Sequence, residues 1–386
     1  MHMVNRRQWI SLVEKAWRER PVVWLAGVRR AGKTCLCQSL DAVEYFDCEL
    51  PRVRRMIEDP EGFLSDLRGK RIVLDEVHRL SNPSELLKIA ADHFPDIRVL
   101  ATGSSTLGAT AKFRDTLSGR KRDVRLTPMT LSDMADFSRI DWKRRLLHGG
   151  LPPFLMAEVP PERDFQEWMD AYWAKDVQEL FRLERRSSFL KFVELLLVQS
   201  GGIFEATSFA GPCEVSRTTV ANYLGVLEIT LVANVIRPFT SRRQSEIVAA
   251  PKVYGFDTGF VCQYRGWQQL RSADCGVLWE HCVLNEMQAA LQGHPINYWR
   301  DKRGHEVDFI LSRRGAAPIA IECKWRAGDL DLTGLKAFRL QYPDGVNFVV
   351  AHDVERGYTQ TIAGLTVRFE GLAGLNAAIR KAHLAA

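Results

Sequence analysis

The chain has 386 residues, 46% of them apolar and 26% charged, an ordinary globular composition with length for roughly two to four domains. It contains no run of about 18 apolar residues, and its opening stretch, MHMVNRRQWISLVEKAWRER, lacks the apolar centre of a signal peptide; a cytoplasmic protein without a membrane span is expected. The net charge of +6 permits polyanion binding without requiring it, because even the dense segment 112–145, with ten Lys/Arg against five Asp, could be a solvated face.

An amphipathic helix carrying Trp9, Ile10, Val13 and Trp17 opens the chain, and the apolar strand PVVWLAG follows at 21–27. Further strands are expected at 43–50 (VEYFDCEL), 71–76 (RIVLDE), 97–103 (IRVLATG) and 122–128 (RDVRLTP), with a helix over 84–94. This alternation predicts an open, mostly parallel α/β sheet over 1–128. Residues 129–200 read as helical throughout, a lid, with Gly149-Gly150-Leu151-Pro152-Pro153 as a loop between helices. Over 201–260 a short helix, a turn, a second helix and two strands flanking the basic hairpin SRRQSE predict a winged helix. A second α/β unit is expected over 261–386: a helix from Gly276, then strands INYWR, EVDFIL, IAIECKW and VNFVVA. The eight cysteines include no C-x-x-C pair, so reduced packing residues are expected rather than a zinc site.

The clearest chemistry lies at 27–34, GVRRAGKT. The spacing G-x-x-x-x-G-K-T between a strand and a helix is that of a phosphate-binding loop, so ATP and Mg2+ are the expected ligands. Gly27 and Gly32 let bare backbone approach phosphate oxygens, Lys33 reaches the terminal phosphates, and Thr34 offers a hydroxyl to the metal. Arg30, inside the loop, is a further candidate for phosphate. In RIVLDEVHR, Asp75 is placed beside the metal and Glu76 where it can polarise the attacking water. One strand later, Thr102, Ser104 and Ser105 are candidate sensors of the γ-phosphate, or simply turn formers. Arg120 reads either as a finger reaching a neighbouring subunit's phosphate or as part of a surface basic cluster with Lys121 and Arg122.

The ordered strings GVRRAGKT, LDEVHR, TGSST, LSGR, GGLPPFL, PKVYGFDTGF, GVLWEHCVLNEM, YWRDKRGHEVDFIL and IECKW resemble a prokaryotic family of AAA-superfamily ATPases with a C-terminal domain of unknown function. The resemblance spans essentially the whole chain. It implies an AAA-type core, a winged-helix segment, a nuclease-like terminal fold and a homo-oligomer, with a six-membered ring as the first guess. GGLPPFL departs from the family, which more often shows an aromatic and an acid there.

In EVDFIL, Glu306 and Asp308 share one strand face, as do Glu322 and Lys324 in IECKW. A hairpin would join these acids as hard-oxygen ligands for Mg2+, with Lys324 on the water or phosphate and Glu280 adding a helix carboxylate. Polar rows of this kind also arise simply facing solvent. The order helix Glu, strand Asp, strand Glu-x-Lys resembles the PD-(D/E)XK nuclease superfamily: Asp308, Glu322 and Lys324 match its core and Glu280 its helix acid. Glu286 and Glu306 stand as spare acids, and His281 and His305 fall outside the set. In the winged helix, Arg217, Thr218, Thr219 and Asn222 would enter a DNA groove while Arg242 and Arg243 on the wing touch phosphates. The expected function is an ATP-hydrolysing DNA-binding protein whose terminal domain cuts DNA with Mg2+. The rivals are an ATP-gated DNA-binding switch with an inactive nuclease-like domain, and a signalling ATPase that recruits protein.

Overall fold

The computed structural model describes residues 4–103, 111–159, 162–178, 181, 183, 185–240 and 250–384. Five strands form the first sheet: β1 (Val22–Ala26), β2 (Glu44–Asp47), β3 (Arg71–Asp75), β4 (Arg98–Thr102) and β5 (Lys121–Arg125), in the order β2-β3-β4-β1-β5. Every pairing is parallel, as the alternation of strand and helix predicts. The central strands are apolar runs because helices cover both faces. One covering helix is Arg7–Glu19, whose Trp9, Val13, Ala16 and Trp17 lie on a single buried stripe. Trp17 Nε1 also donates to Val99 O at 3.0 Å and anchors that helix on β4. Since β4 is inserted between β1 and β3, the ends of three strands meet at the phosphate loop.

Residues 129–200 contain no strand among those described, in keeping with the helical reading. GGLPP differs from the expected loop: only Gly149–Leu151 turn, and Pro152 begins a short helix, Pro152–Met156, where proline's missing N–H costs nothing. The turn is welded to the later FDTG segment. Asp257 accepts the Gly150 N–H at 2.6 Å and the Gly259 N–H at 2.9 Å, and a Cβ on Gly149 would lie 1.9 Å from its Oδ1. Arg145, buried beside it, donates to Met129 O and Thr258 Oγ1, both at 3.0 Å. This helical segment packs into a core that runs from Trp9 to Ile379, so both ends of the chain share it.

The second sheet has nine strands: β6 (Gly202–Ile203), β7 (Ala233–Pro238), β8 (Lys252–Gly255), β9 (Asn297–Arg300), β10 (Glu306–Leu311), β11 (Ile319–Lys324), β12 (Asn347–Ala351), β13 (Tyr358–Ile362) and β14 (Leu365–Glu370). Their order is β13-β14-β12-β11-β10-β9-β7-β8-β6. Helices Ala206–Ala210 and Arg217–Ile229 precede the antiparallel pair β7–β8. The β7 strand then pairs in parallel with β9, so main-chain hydrogen bonds bridge the division expected at 260/261. Strands β13 and β14 and helices Thr333–Gln341 and Leu372–Leu384 were not legible in the sequence. Among the described residues no helix is long and apolar enough to cross a membrane.

His281, in helix Ser272–Leu291, shows why that helix packs where it does. Its Nδ1 lies 2.8 Å from Val277 O and its Nε2 2.7 Å from Ser200 Oγ, which itself accepts the Gly255 N–H at 2.6 Å. The ring therefore donates from Nδ1 and accepts at Nε2, and burial pushes its pKa down from 6.5 to about 4. Between those values the unfolded chain holds more protons than the folded one, so this stabilisation is complete above the unfolded pKa and is lost as pH falls through the folded pKa. Urea denaturation at pH 7 and pH 5 should show wild type losing about 2 kcal/mol more than His281→Gln over that step. Equal losses in the two proteins would remove His281 as the cause.

Candidate functional site

The loop between β1 and helix Lys33–Gln38 needs its glycines for two different reasons. Gly32, the helix N-cap, has φ +95°, whereas a Cβ on Gly27 would lie 3.0 Å from Leu126 O. Arg30 at φ +61° and Glu76 at φ +56° hold the left-handed conformation without being glycine, and both flank one cavity, the kind of place where such strain concentrates. The cavity has a volume of about 850 Å³; the loop, Glu76, His78, Pro152, Pro153, Asp176 and Thr230 are among its walls.

At its wall, Thr34 Oγ1 donates to Asp75 Oδ2 behind it at 2.9 Å, which brings the two expected metal ligands together. Tyr45 donates to the same oxygen at 2.6 Å, and Thr102 Oγ1 bonds the other carboxylate oxygen while accepting the Glu76 N–H at 3.1 Å. One strand-end threonine thus positions both acids. His78 Nδ1 lies 3.1 Å from Glu76 Oε2. Burial by itself would raise the Glu76 carboxyl, but the His78 hydrogen bond and the charges of Lys33, His78 and Arg29 outweigh it, leaving the pKa below its ordinary value. Lys33 Nζ donates to Gly27 O at 2.8 Å and Val28 O at 3.2 Å, and desolvation lowers its pKa against the pull of Glu76, Asp176 and Asp75. Hard oxygens on Thr34 and Asp75, an ammonium on the loop and an ionised Glu76 fit a magnesium nucleotide.

Sequence reasoning missed the residues that brace this loop. Arg6, buried, donates to Ala31 O at 2.8 Å and makes a two-bond pair with Asp133 at 2.8 and 2.7 Å. Asp133 also accepts from Trp9 Nε1 at 3.1 Å and from the Thr130 N–H at 2.9 Å, completing the capping box of helix Leu131–Asp136. Arg29 Nε lies 3.1 Å from Asp176 Oδ2, while Trp168 Nε1 donates to Arg29 O at 2.9 Å. Arg30 borders the cavity, but its guanidinium sits 3.5 Å from Asp164 and 3.8 Å from Glu167. Asp133, Asp164, Glu167, Trp168 and Asp176 lie about 100 residues or more from the loop in sequence, and local pattern carries no trace of them. Arg120 Nε pairs with Asp92 Oδ1 of the same chain at 2.7 Å. Ser104, Ser105, Arg242 and Arg243 lie outside the described residues.

The C-terminal acids do meet. The hairpin β10–β11 is antiparallel, with Phe309 opposite Ile321, and Asp308 Oδ2 accepts the Cys323 N–H at 2.8 Å. Lys324 Nζ lies 3.3 Å from Glu322 Oε2. Glu280 adjoins them from helix Ser272–Leu291, receiving the Tyr254 hydroxyl at 2.8 Å. A lysine that sequence reasoning passed over stands among them: Lys252 Nζ is 2.7 Å from Glu306, 3.4 Å from Glu280 and 3.7 Å from Asp308. Burial and then the Asp308 charge push Glu280 up to about 7, and the same two causes raise Glu322 well above the carboxylate range. Among the described residues no group of three or more His, Cys, Asp or Glu is arranged to hold a metal ion. The expected set Glu280, Asp308 and Glu322 is thus brought together, with Lys252 against Glu280 and Asp308 and Lys324 against Glu322.

Arg217, Thr218 and Asn222 are exposed at the start of helix Arg217–Ile229, and Thr219 is half-buried, its N–H capped by Ser216 Oγ at 3.1 Å. Arg185 lies alongside, donating to Glu214 O at 3.3 Å.

Residues 19–135 match the family model described as an AAA domain. The N-terminal unit is of the AAA-type P-loop ATPase kind. Beyond this AAA unit, residues 139–271 match one domain of unknown function, DUF8612, and residues 275–364 another, DUF4143. The chain is 29% identical over 334 residues to uncharacterized proteins of Mycobacterium tuberculosis and Mycobacterium bovis, covering 83% of this chain and 74% of each relative. Among solved structures it is similar to the Walker-type ATPase of Pyrococcus abyssi, at 15% identity and TM-score 0.44 over 68% of this chain and 96% of that one. A second is the Thermococcus gammatolerans McrB AAA+ hexamer with bound McrC, at 10% identity and TM-score 0.21 over 48% and 47%.

Proposed function

We propose that this protein is a magnesium-dependent ATPase that acts as a DNA-binding switch. The observation that carries the reading is the Thr34–Asp75–Thr102–Glu76 hydrogen-bonded chain at the mouth of the phosphate loop. Bound Mg2+ would be held by Thr34 and Asp75 and would neutralise phosphate charge. Glu76, kept ionised and aimed by His78, takes a proton from the attacking water, and Lys33 exchanges its loop carbonyls for phosphate oxygens. The switch follows from who walls the cavity: Pro152, Pro153 and Asp176 belong to the helical segment and Thr230 to the helix–hairpin unit, so filling the site bears directly on both.

DNA is the proposed partner because the exposed start of helix Arg217–Ile229 presents Arg217, Thr218 and Asn222 beside Arg185, in a chain of net charge +6. Arg242 and Arg243 would add phosphate contacts. Fluorescence anisotropy with labelled duplex and single-stranded DNA, at several salt concentrations, is the test. An Arg185→Ala/Arg217→Ala variant should weaken binding and lower the salt slope by about 2. Wild-type protein that binds no DNA in the ATP or ADP state would end the DNA part of the reading.

A second reading, DNA cleavage by Asp308, Glu322, Lys324 and Glu280, draws on their convergence at the β10–β11 hairpin. It requires a divalent ion at a place where Lys252 now stands.

Homo-oligomerisation is proposed on Arg120, which would have to leave Asp92 to serve a neighbouring subunit's phosphate. Mixing Arg120→Ala with Lys33→Ala subunits should then restore part of the hydrolysis that each variant lacks alone. No gain on mixing, or full activity in Arg120→Ala, would dismiss the finger.

A further inference from the structure

Carboxylates gathered in a poorly solvated site need a counter-charge, and the chemistry of the site depends on what supplies it. At the C-terminal cluster three acids, Glu280, Glu306 and Asp308, surround one ammonium. Lys252 is only 5% exposed. An ammonium carries three N–H donors; Glu306 at 2.7 Å and Glu280 at 3.4 Å accept from it, and Asp308 stands 3.7 Å away as an ion-pair partner. Other donors share these acids: Tyr254 donates to the same Glu280 oxygen as Lys252, and the Cys323 N–H donates to the far oxygen of Asp308. Lys324 meanwhile serves Glu322.

Lys252 is held where it is by its backbone. It pairs with Ile203 on β6 and with Ile236 on β7, so β8 is flanked on both sides and its first residue points into the cluster from a fixed frame. A divalent ion bound by Glu280 and Asp308 would need oxygens about 2.0–2.6 Å away and would stand beside a second positive charge in a buried site. The donor set does not fit the ion that a cutting site of this pattern requires.

We infer that Lys252 is the resident cation of this cluster, taking the place of a divalent metal and making the acids a metal-free electrostatic joint between the β7–β8 hairpin and the β9–β11 strands. The inference deepens the reading of the protein as a binding switch, because a joint that holds the helix–hairpin unit to the terminal sheet suits transmission rather than cutting.

The test is Mn2+ titration of the nucleotide-free full chain, reading free Mn2+ by electron paramagnetic resonance. Wild type should show no Mn2+ site removed by Asp308→Asn up to about 1 mM, the weak end of hard-cation affinities. Lys252→Met should gain one Mn2+ site at least about tenfold tighter than that limit, and adding Asp308→Asn should abolish it. Lys252→Arg, which keeps the cation, should bind as wild type does. An Asp308-dependent site in wild type overturns the inference, as does a folded Lys252→Met that gains none. If Lys252→Met fails to fold, the wild-type and Asp308→Asn titrations decide. ATP hydrolysis and DNA anisotropy, followed in parallel, report on the switch reading separately, since a Mn2+ result of either sign leaves both measurable.

Discussion

Lys33→Ala is expected to abolish nucleotide binding, while Glu76→Gln keeps binding and slows hydrolysis by about 10²- to 10⁴-fold, the usual worth of a positioned general base. The two effects separate because the residues act on different atoms. Lys33 bonds loop carbonyls that a phosphate can replace, so its loss leaves phosphate charge uncompensated. Glu76 faces His78 and is oriented through its own N–H on Thr102. Glutamine preserves its shape and removes the proton acceptor. Calorimetric nucleotide binding beside a phosphate-release assay checks both arms. Hydrolysis at the wild-type rate in Glu76→Gln would show that another group activates the water.

The second large effect is on stability. Asp133 is fully buried and accepts from Arg6, Trp9 and Thr130. Asp133→Ala leaves the Arg6 guanidinium buried without its partner, and a loss of about 3–5 kcal/mol is expected in chemical denaturation. Arg6 also holds Ala31 of the phosphate loop, so weaker nucleotide binding should accompany the loss. Replacing the pair by apolar residues, Arg6→Met/Asp133→Leu, removes the orphaned charge and should recover part of the stability, since Trp9 Nε1 and the Thr130 N–H still lack their acceptor, but not the nucleotide affinity, because the Ala31 contact stays missing. A change below about 1 kcal/mol in Asp133→Ala would mean that water reaches the site and repays the charge.

The difference between what could be read early and what could not follows the range of the forces involved. The phosphate loop, the acid pair after β3, the five strands of the first sheet and the helix–hairpin rhythm are local: each depends on residues a few positions apart, through backbone freedom at glycine, hydrophobic period and strand ends. Thr34 and Asp75 belong to this class too, since a loop after one strand and an acid after another are brought side by side by a parallel sheet. The short helix at Pro152 was misread because Gly-Gly and Pro-Pro both signal turns, and only the fit against Asp257 shows where the turn ends and the helix begins.

Sequence alone located an N-terminal phosphate-binding loop of the AAA ATPase type, because the residues that define it sit within contiguous motifs whose geometry the backbone dictates. Tertiary structure decided what surrounds that site and which cations stand against the C-terminal acids. Arg6 reaching Asp133, Arg29 reaching Asp176, and Lys252 reaching Glu280, Glu306 and Asp308 are pairings across 28 to 147 residues. Nothing in the period or spacing of a chain encodes them. A buried charge takes whichever partner the packing of separate elements brings near, and here that packing set a lysine among the acids where spacing pointed to a metal.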